Sequence, residues 1–176
     1  LNLSHSKEVL CLIGLLRLVL DENNLEHSLT VLEFLRSDFG GKETYHDFIS
    51  TRYRKPIQTI LNAFEIEFNF SNFKAMPLYE AVEAAFYAFE LSNSIDAHLQ
   101  TFLDHVFEFS QQKHTDILSF IMHWELQGDS LYVATPKGVN AIQVLTIHKA
   151  KGLEFPVVIL PFLDDPIQGN HQAKVW

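Results

Sequence analysis

The chain of 176 residues carries 13 Lys and Arg against 22 Asp and Glu, a net charge of −9, with a pI near 5.4. That balance excludes the basic footprint of an autonomous nucleic-acid-binding domain, so any contact with a polyanion has to be local. Hydrophobic residues at 47 % and charged residues at 20 % exclude wholesale disorder, and the length is that of about one domain.

The first element is a helix. Ser4 or Ser6 can cap it, and Val9, Leu12, Ile13, Leu16 and Leu20 recur at helical spacing before "DENN" ends it. Its apolar run from Val9 to Leu20 is interrupted by Arg17 and is shorter than the ~18 residues a membrane span needs, so it reads as a buried helix and no membrane is expected. Lys7 and this run faintly resemble a signal peptide, yet no small-residue cleavage site precedes the acidic turn. The chain begins with Leu1 rather than Met, as an excerpt of a longer protein would. The lone Cys11 rules out a disulfide framework, reads as a core residue, and points to a reducing, cytoplasmic compartment.

A second helix is predicted from Glu26 to Phe39, with Leu29, Leu32, Leu35 and Phe39 on its apolar face, Val31 flanking, and Gly40 and Gly41 as a left-handed stop. Between Glu43 and Phe73 the periodicity weakens. "YHDFISTRYRK" reads as a helix that Pro56 terminates, and "IQTILNAFEIEF" as another short one. Pro77 at a first-turn position opens an amphipathic helix faced by Leu78, Val82, Ala85, Phe86 and Phe89. Ser94 can cap the next, faced by Leu99, Phe102, Leu103, Val106 and Phe107. "TDILSFIMHWELQ" adds a last helix with Thr115 as cap and Gly128 as stop. The 15 Phe imply helices packed around large rings.

Residues 1–128 thus read as all-helical, and the character changes over 129–176. "GDSLYVATPKGVN" is turn-rich, while "AIQVLTI" and "PVVILPF" are short β-branched runs that suit buried strands. Between them lies "TIHKAKGLEF", residues 146–155. A polar stretch between two buried strands marks a strand end, where open α/β sheets place ligands. The plainer reading is a solvated turn whose Lys residues keep the sheet end soluble. Gly152 allows a close backbone approach, and Glu154 returns a carboxylate beside a cationic pair.

"VLTIHKAKGLEFPVVIL", residues 144–160, closely resembles motif V of the superfamily-one helicases of the UvrD/RecB kind, including the AddA-like helicase-nuclease subunits. "SHSKEVLCLIGLLRLV" and "FLDHVFEFSQQKHTDILSFIMHWE" are more loosely similar to the opening and close of the helical insertion in the second motor domain. The fold the resemblance implies is mainly α: a helical insertion (2B-like) over 1–128, then a small piece of RecA-like α/β sheet over 129–176. It implies that Thr146 and His148 face single-stranded DNA, and that Gly152 and Glu154 look to the nucleotide, Glu154 toward the ribose hydroxyls. A neutral His can donate to a phosphate or stack on a base, and a Thr hydroxyl can bond a phosphate oxygen without adding charge. The competing view is that His148 only satisfies a backbone carbonyl.

The implied parent is an ATP-dependent DNA helicase or helicase-nuclease of repair or recombination. Its expected cofactors are ATP and Mg²⁺, and its partners are single- and double-stranded DNA, the remaining helicase domains and a nuclease subunit. This chain by itself is expected to hold no catalytic residue and no cofactor, because no GxxxxGK[ST] occurs; "GGKE" at 40–43 lacks both the spacing and the hydroxyl. "LYVATP", residues 131–136, lacks the Arg of an arginine-finger motif and reads as a connector. "VVILPFLDD" mimics a metal-binding strand ending in Asp164 and Asp165, but Pro161 argues against it. No metal site is expected, because His98, His105, His114 and His123 have no Cys partners or close pairs. "RYRKP", residues 52–56, is the basic cluster, readable as a solvated loop or a backbone contact.

Two rivals remain. Residues 1–128 could be a protein-docking or regulatory module without intrinsic activity, its acidic surface favouring protein partners. Alternatively the chain could be a small α+β enzyme using His148 and Glu154 as an acid-base pair. The short link between the two runs favours antiparallel or non-adjacent strands by spacing, whereas the resemblance implies parallel strands joined by one helical turn.

Overall fold

The computed structural model describes residues 2–39, 43–91, 97–112, 115–133, 142 and 144–160. Among them the chain is mainly helical, no strand forms, and no helix is long and apolar enough to cross a membrane. It divides into two units, Leu1–Thr135 and Pro136–Trp176.

Helix α1 (Lys7–Leu20) starts where the Ser6 hydroxyl accepts from the Val9 N–H at 3.4 Å, which satisfies one of the unpaired amides of the first turn. Ser4 instead sits in a 3-10 turn, Leu3–His5, that Asn2 caps. Most of α1 is buried, from Val9 through Cys11–Leu16 to Leu18, while Leu20, expected on the apolar face, is 44 % exposed at the last turn. A helix apolar on nearly every side has to occupy the middle of its unit.

Helix α2 (Leu25–Phe39) begins where the Asn24 side chain accepts from the Glu26 and His27 N–H groups at 3.0 and 3.3 Å. It buries Ser28, Val31, Leu32, Phe34 and Leu35 against α1, and Leu29 only half-way. The expected stop at Gly40 and Gly41 lies outside the described residues. The two helices cross at Gly14, where a Cβ would meet Val31 Cγ2 at 3.1 Å and Thr30 Cβ at 3.4 Å. Glycine therefore sets their spacing.

The weak middle of the sequence resolves into three short helices, α3 (Tyr45–Ser50), α4 (Ile57–Ala63) and α5 (Phe70–Phe73), the first and last capped by Thr44 and Asn69. Helix α3 ends at Ser50, ahead of Pro56, so the proline expected to terminate it is not what stops it. Gln58 spans α4 and α5, donating to the Phe68 carbonyl at 2.7 Å and accepting from the Phe70 N–H at 2.8 Å. Past α4, Glu65 has φ 57°. Helix α6 (Leu78–Ala88) follows Pro77, which is its cap rather than its first residue, and Glu90 beyond it has φ 52°. Both are left-handed positions usually held by glycine.

Helix α7 (Ala97–Ser110) buries Leu99, Phe102, Val106 and Phe109, and Ser94 lies outside the described residues. Phe107, expected on the core face, is 49 % exposed and leans edge-on against Tyr79 at 5.4 Å. Helix α8 (Ile117–Gln127) is capped by Asp116, which accepts from the Ser119 N–H at 2.7 Å; Thr115, the expected cap, donates to the Ser110 carbonyl instead. The helix ends at Gly128 as expected, and the glycine keeps right-handed helical backbone into a 3-10 turn, Gly128–Ser130. A Cβ there would come within 2.9 Å of the Trp124 ring, so the glycine makes room for the indole.

The Phe residues build the core as the composition implies. Phe120 packs against Phe102 at 6.2 Å and Phe109 at 5.3 Å, Phe102 against Trp124 at 5.5 Å, and Phe68 against both Phe73 and Phe89 at 5.0 and 5.8 Å. Tilted and edge-on pairs of this kind add about 0.5–1.5 kcal/mol each beyond their buried area. The unit closes on itself where the Leu3 N–H donates to the Leu131 carbonyl at 3.0 Å and Asn2 pairs with Tyr132 in an isolated antiparallel bridge.

In the second unit the strands expected of "AIQVLTI" and "PVVILPF" are not formed among the described residues. Val144 is 92 % and Val157 77 % exposed. β-Branched composition supplies the propensity, but a buried strand also needs neighbours to pair its N–H and C=O groups and cover its faces, and the described residues supply none.

Candidate functional site

The polar stretch folds into a corner of two consecutive turns. Thr146 holds extended backbone (φ −73°, ψ 154°), and its hydroxyl accepts from the Lys149 N–H at 3.4 Å, capping the single helical turn α9 (Ile147–Ala150). The Ala150 N–H closes that turn on the Thr146 carbonyl at 3.0 Å. Lys151 then has φ −59°, ψ 121°, Gly152 has φ +83°, and the Ala150 carbonyl accepts from the Leu153 N–H at 3.0 Å. These angles and that bond define a type II β-turn, whose third position requires φ above zero and hence Gly or Asn. The connector between the two apolar runs is thus one helical turn followed by one reverse turn.

His148, Lys149, Lys151 and Glu154 are all exposed on this corner, and His148 and Glu154 make no side-chain hydrogen bond or ion pair among the described residues. Nothing joins them as an acid-base pair. The Thr146 hydroxyl accepts with one lone pair and keeps its proton to donate. Around Gly152 no atom lies within 4 Å of where a Cβ would stand, so its backbone is open to a close approach. Lys149 and Lys151 had no role by spacing beyond solubility; bracketing the end of α9, they add local positive charge to an acidic chain. The two Lys flanking Ala150 are the signal that could have marked them. Beside the corner an open apolar cleft of about 1370 Å³ runs along Val144, Leu145, Val157, Val158, Ile159 and Leu160.

Elsewhere the candidates sort by their contacts. Arg52 of the basic cluster serves the fold: its guanidinium stacks over Phe48 at 4.4 Å, donates to the Phe48 carbonyl at 3.0 Å and pairs with Glu43 at 2.9 Å. Arg54 lies over Tyr53 at 5.1 Å, and Lys55 is exposed. Burial pushes the Cys11 thiol far up, leaving an inert core residue. Lys42, Asp164 and Asp165 lie outside the described residues.

The histidines require a correction. His105 on α7 and His123 on α8 stand far apart in sequence, yet their rings stack 5.2 Å apart, with Phe109 at 5.0 Å from His123. The Nε2 atoms of both are buried without a hydrogen-bond partner. Burial first, and His123 second, hold the His105 imidazole below its ordinary pKa, with Glu108 opposing. Among the described residues no group of three or more His, Cys, Asp or Glu is placed to hold a metal ion.

A helical unit is thus followed by a capped corner that carries Thr146, His148, Gly152 and Glu154 in that order. The family model for the UvrD-like helicase C-terminal domain matches residues 19–172, and the chain belongs to that family. Among similar proteins is an ATP-dependent helicase/nuclease subunit of Oenococcus oeni, 37 % identical over 78 residues, which cover 42 % of this chain and 7 % of the relative. The equivalently named proteins of Leuconostoc mesenteroides and Geobacillus thermodenitrificans are 36 % identical over 72 residues and 45 % over 51, covering 39 % and 28 % of this chain and 6 % and 4 % of theirs. The chain therefore spans only a small part of the length of the curated relatives it matches. No solved structure matches it.

Proposed function

We propose that this chain is a segment of an ATP-dependent DNA helicase-nuclease, with residues 1–128 as the helical insertion and 129–176 as a piece of the second motor domain. Its task there is coupling: the corner from Thr146 to Glu154 relays nucleotide-dependent closure of the motor to a single strand of DNA. The observation that carries this reading is the family match over 19–172, which contains the corner whole.

The corner's chemistry supports two ligands on two flanks. Thr146 retains a hydroxyl proton, and His148 an exposed imidazole, for phosphate or base. Lys149 and Lys151 supply the local positive charge that the chain's net −9 otherwise lacks. Past the turn, Glu154 offers an exposed acceptor-only carboxylate, suited to ribose hydroxyls, and the open face of Gly152 admits a nucleotide to its backbone. When bound, ATP with Mg²⁺ would supply the phosphoryl-transfer chemistry of the parent. The residues of this chain orient and sense; the type II turn fixes the angle between the DNA-facing and nucleotide-facing sides.

The test is a split phenotype in the intact parent protein, whose site of action we place in the cytoplasm. Glu154→Gln should raise KM for ATP while leaving nucleotide-free binding of single-stranded DNA unchanged. His148→Ala should weaken that binding and leave DNA-independent KM for ATP unchanged. Wild-type behaviour of both variants in both assays would refute the proposal.

A further inference from the structure

Helices α7 and α8 meet ring against ring: Phe102, His105 and Phe109 of α7 touch Phe120, His123 and Trp124 of α8. Within this seam the two imidazoles stack at 5.2 Å with 23° between their planes. Phe120 stands 6.1 Å from His105, and Phe109 5.0 Å from His123. Both Nε2 atoms are buried without a hydrogen-bond partner, and a phenyl ring is at best a weak acceptor for an N–H.

Such surroundings suit a neutral imidazole better than a charged one. In the neutral ring Nε2 can stand as a bare acceptor, the proton being on Nδ1. An imidazolium carries N–H on both nitrogens, and the one at Nε2 is then buried with nothing to accept it. A second imidazolium adds a like charge within stacking distance of the first.

The neighbouring charges do not reverse this. Glu108, one turn along α7, favours a proton on His105, but burial and His123 outweigh it. His98 lies two turns earlier on α7, while Asp104, Glu80 and Glu83 of the packed α7 and α6, and His5 beside α1, are exposed. On α8, Asp116 is held by the Ser119 N–H, and Glu125 pairs with Arg17 of α1 at 3.3 Å. The other charged groups of α1 are also engaged, Lys7 with Asp38 at 2.7 Å and Glu8 with the Ser6 hydroxyl at 2.7 Å.

We propose that His105 and His123 form a proton-sensitive clasp: the seam between α7 and α8 is closed while both rings are neutral and opens locally when both are charged. The clasp acts on one end of the helical unit. Helix α8 leads directly into the turn Gly128–Ser130, and the Leu131 carbonyl beyond it accepts from the Leu3 N–H, so loosening α8 loosens that closure. Nothing in the coupling corner enters this inference.

Peptide-resolved hydrogen exchange of the intact parent reads the seam directly, at about pH 7.5 and about pH 5.5, on either side of the ordinary imidazole value of 6.5. Labelling times are scaled for the pH dependence of intrinsic exchange. Protection of α7 and α8 should fall about tenfold or more at the lower pH, and that of α2 clearly less. His105→Gln and His123→Gln, neutral at both values, should each flatten the fall. Should either fail to fold, His105→Phe or His123→Phe keeps a ring in the seam and carries the same expectation. Unchanged protection of α7 and α8 in the wild type would overturn the proposal, because imidazoles that merely swing into solvent to take up protons leave the seam shut. An equal fall in α2, or a fall that persists in the variants, would overturn it as well. DNA and ATP binding are not read, so failure here leaves the coupling reading standing.

Discussion

Gly152 is where the corner's geometry rests on one residue. Replacing it with Ala puts a Cβ at φ +83°, in a space with no atom within 4 Å, so the cost is the residue's own backbone strain and not a clash. Left-handed backbone costs an L-residue about 1–2 kcal/mol. A shift of that size changes the population of the turn by a factor of about 5–30. Asn tolerates the same region through its short polar side chain, so Gly152→Asn should recover much of the loss. The assay is DNA-stimulated ATP hydrolysis by the intact parent, where Ala should lower the stimulation by about 5–30-fold and Asn by less. Unfolding of the helical unit should not change. Wild-type stimulation in the Ala variant would refute the argument. Asn no better than Ala would refute it too, by showing that bulk beside a ligand, and not φ, is what Gly152 avoids.

Three other outcomes follow from the helical unit. Phe120 is fully buried among Phe102, Phe109 and Trp124, so Phe120→Ala should cost about 3–5 kcal/mol in urea unfolding and Phe120→Leu clearly less. Gly14→Leu forces a side chain into the 3.1 Å gap to Val31 and should cost about 1–3 kcal/mol, whereas the same change at an open helical site would gain helix propensity. His105 has a folded pKa below its unfolded value of 6.5, so the native state binds fewer protons. The stability this contributes is fully present above pH 6.5 and is lost as pH falls through the lowered folded value. Unfolding free energy measured from pH 7.5 downward should therefore fall, with a shallower slope in His105→Phe; parallel slopes would exclude the stacked pair as the cause.

The long helices were legible because their apolar residues repeat every three or four positions, and the fall of α1, α2, α6, α7 and α8 follows that pattern closely. Caps were legible only as candidates: of Ser4 and Ser6 the structure uses Ser6, and of the adjacent Thr115 and Asp116 it uses Asp116. The breaks after α4 and α6 carry Glu65 and Glu90 in left-handed backbone, with no glycine to announce them. Of the site, the residue types at 146–154 carried the family resemblance, since a corner built of adjacent residues is written in adjacent letters.

Local sequence therefore determined the helices, the aromatic character of the core and the chemistry gathered at Thr146, His148, Gly152 and Glu154. Tertiary structure decided the rest: that Gly14 spaces α1 from α2, that Gly128 yields to an indole, that His105 meets His123, and that α8 shows a second apolar side outward. It also decided that the β-branched runs beside the corner stay unpaired among the described residues. The reason is physical: helical hydrogen bonds close within a few residues of the chain, whereas ladders, ring stacks and helix crossings depend on groups that only the folded neighbourhood brings within reach.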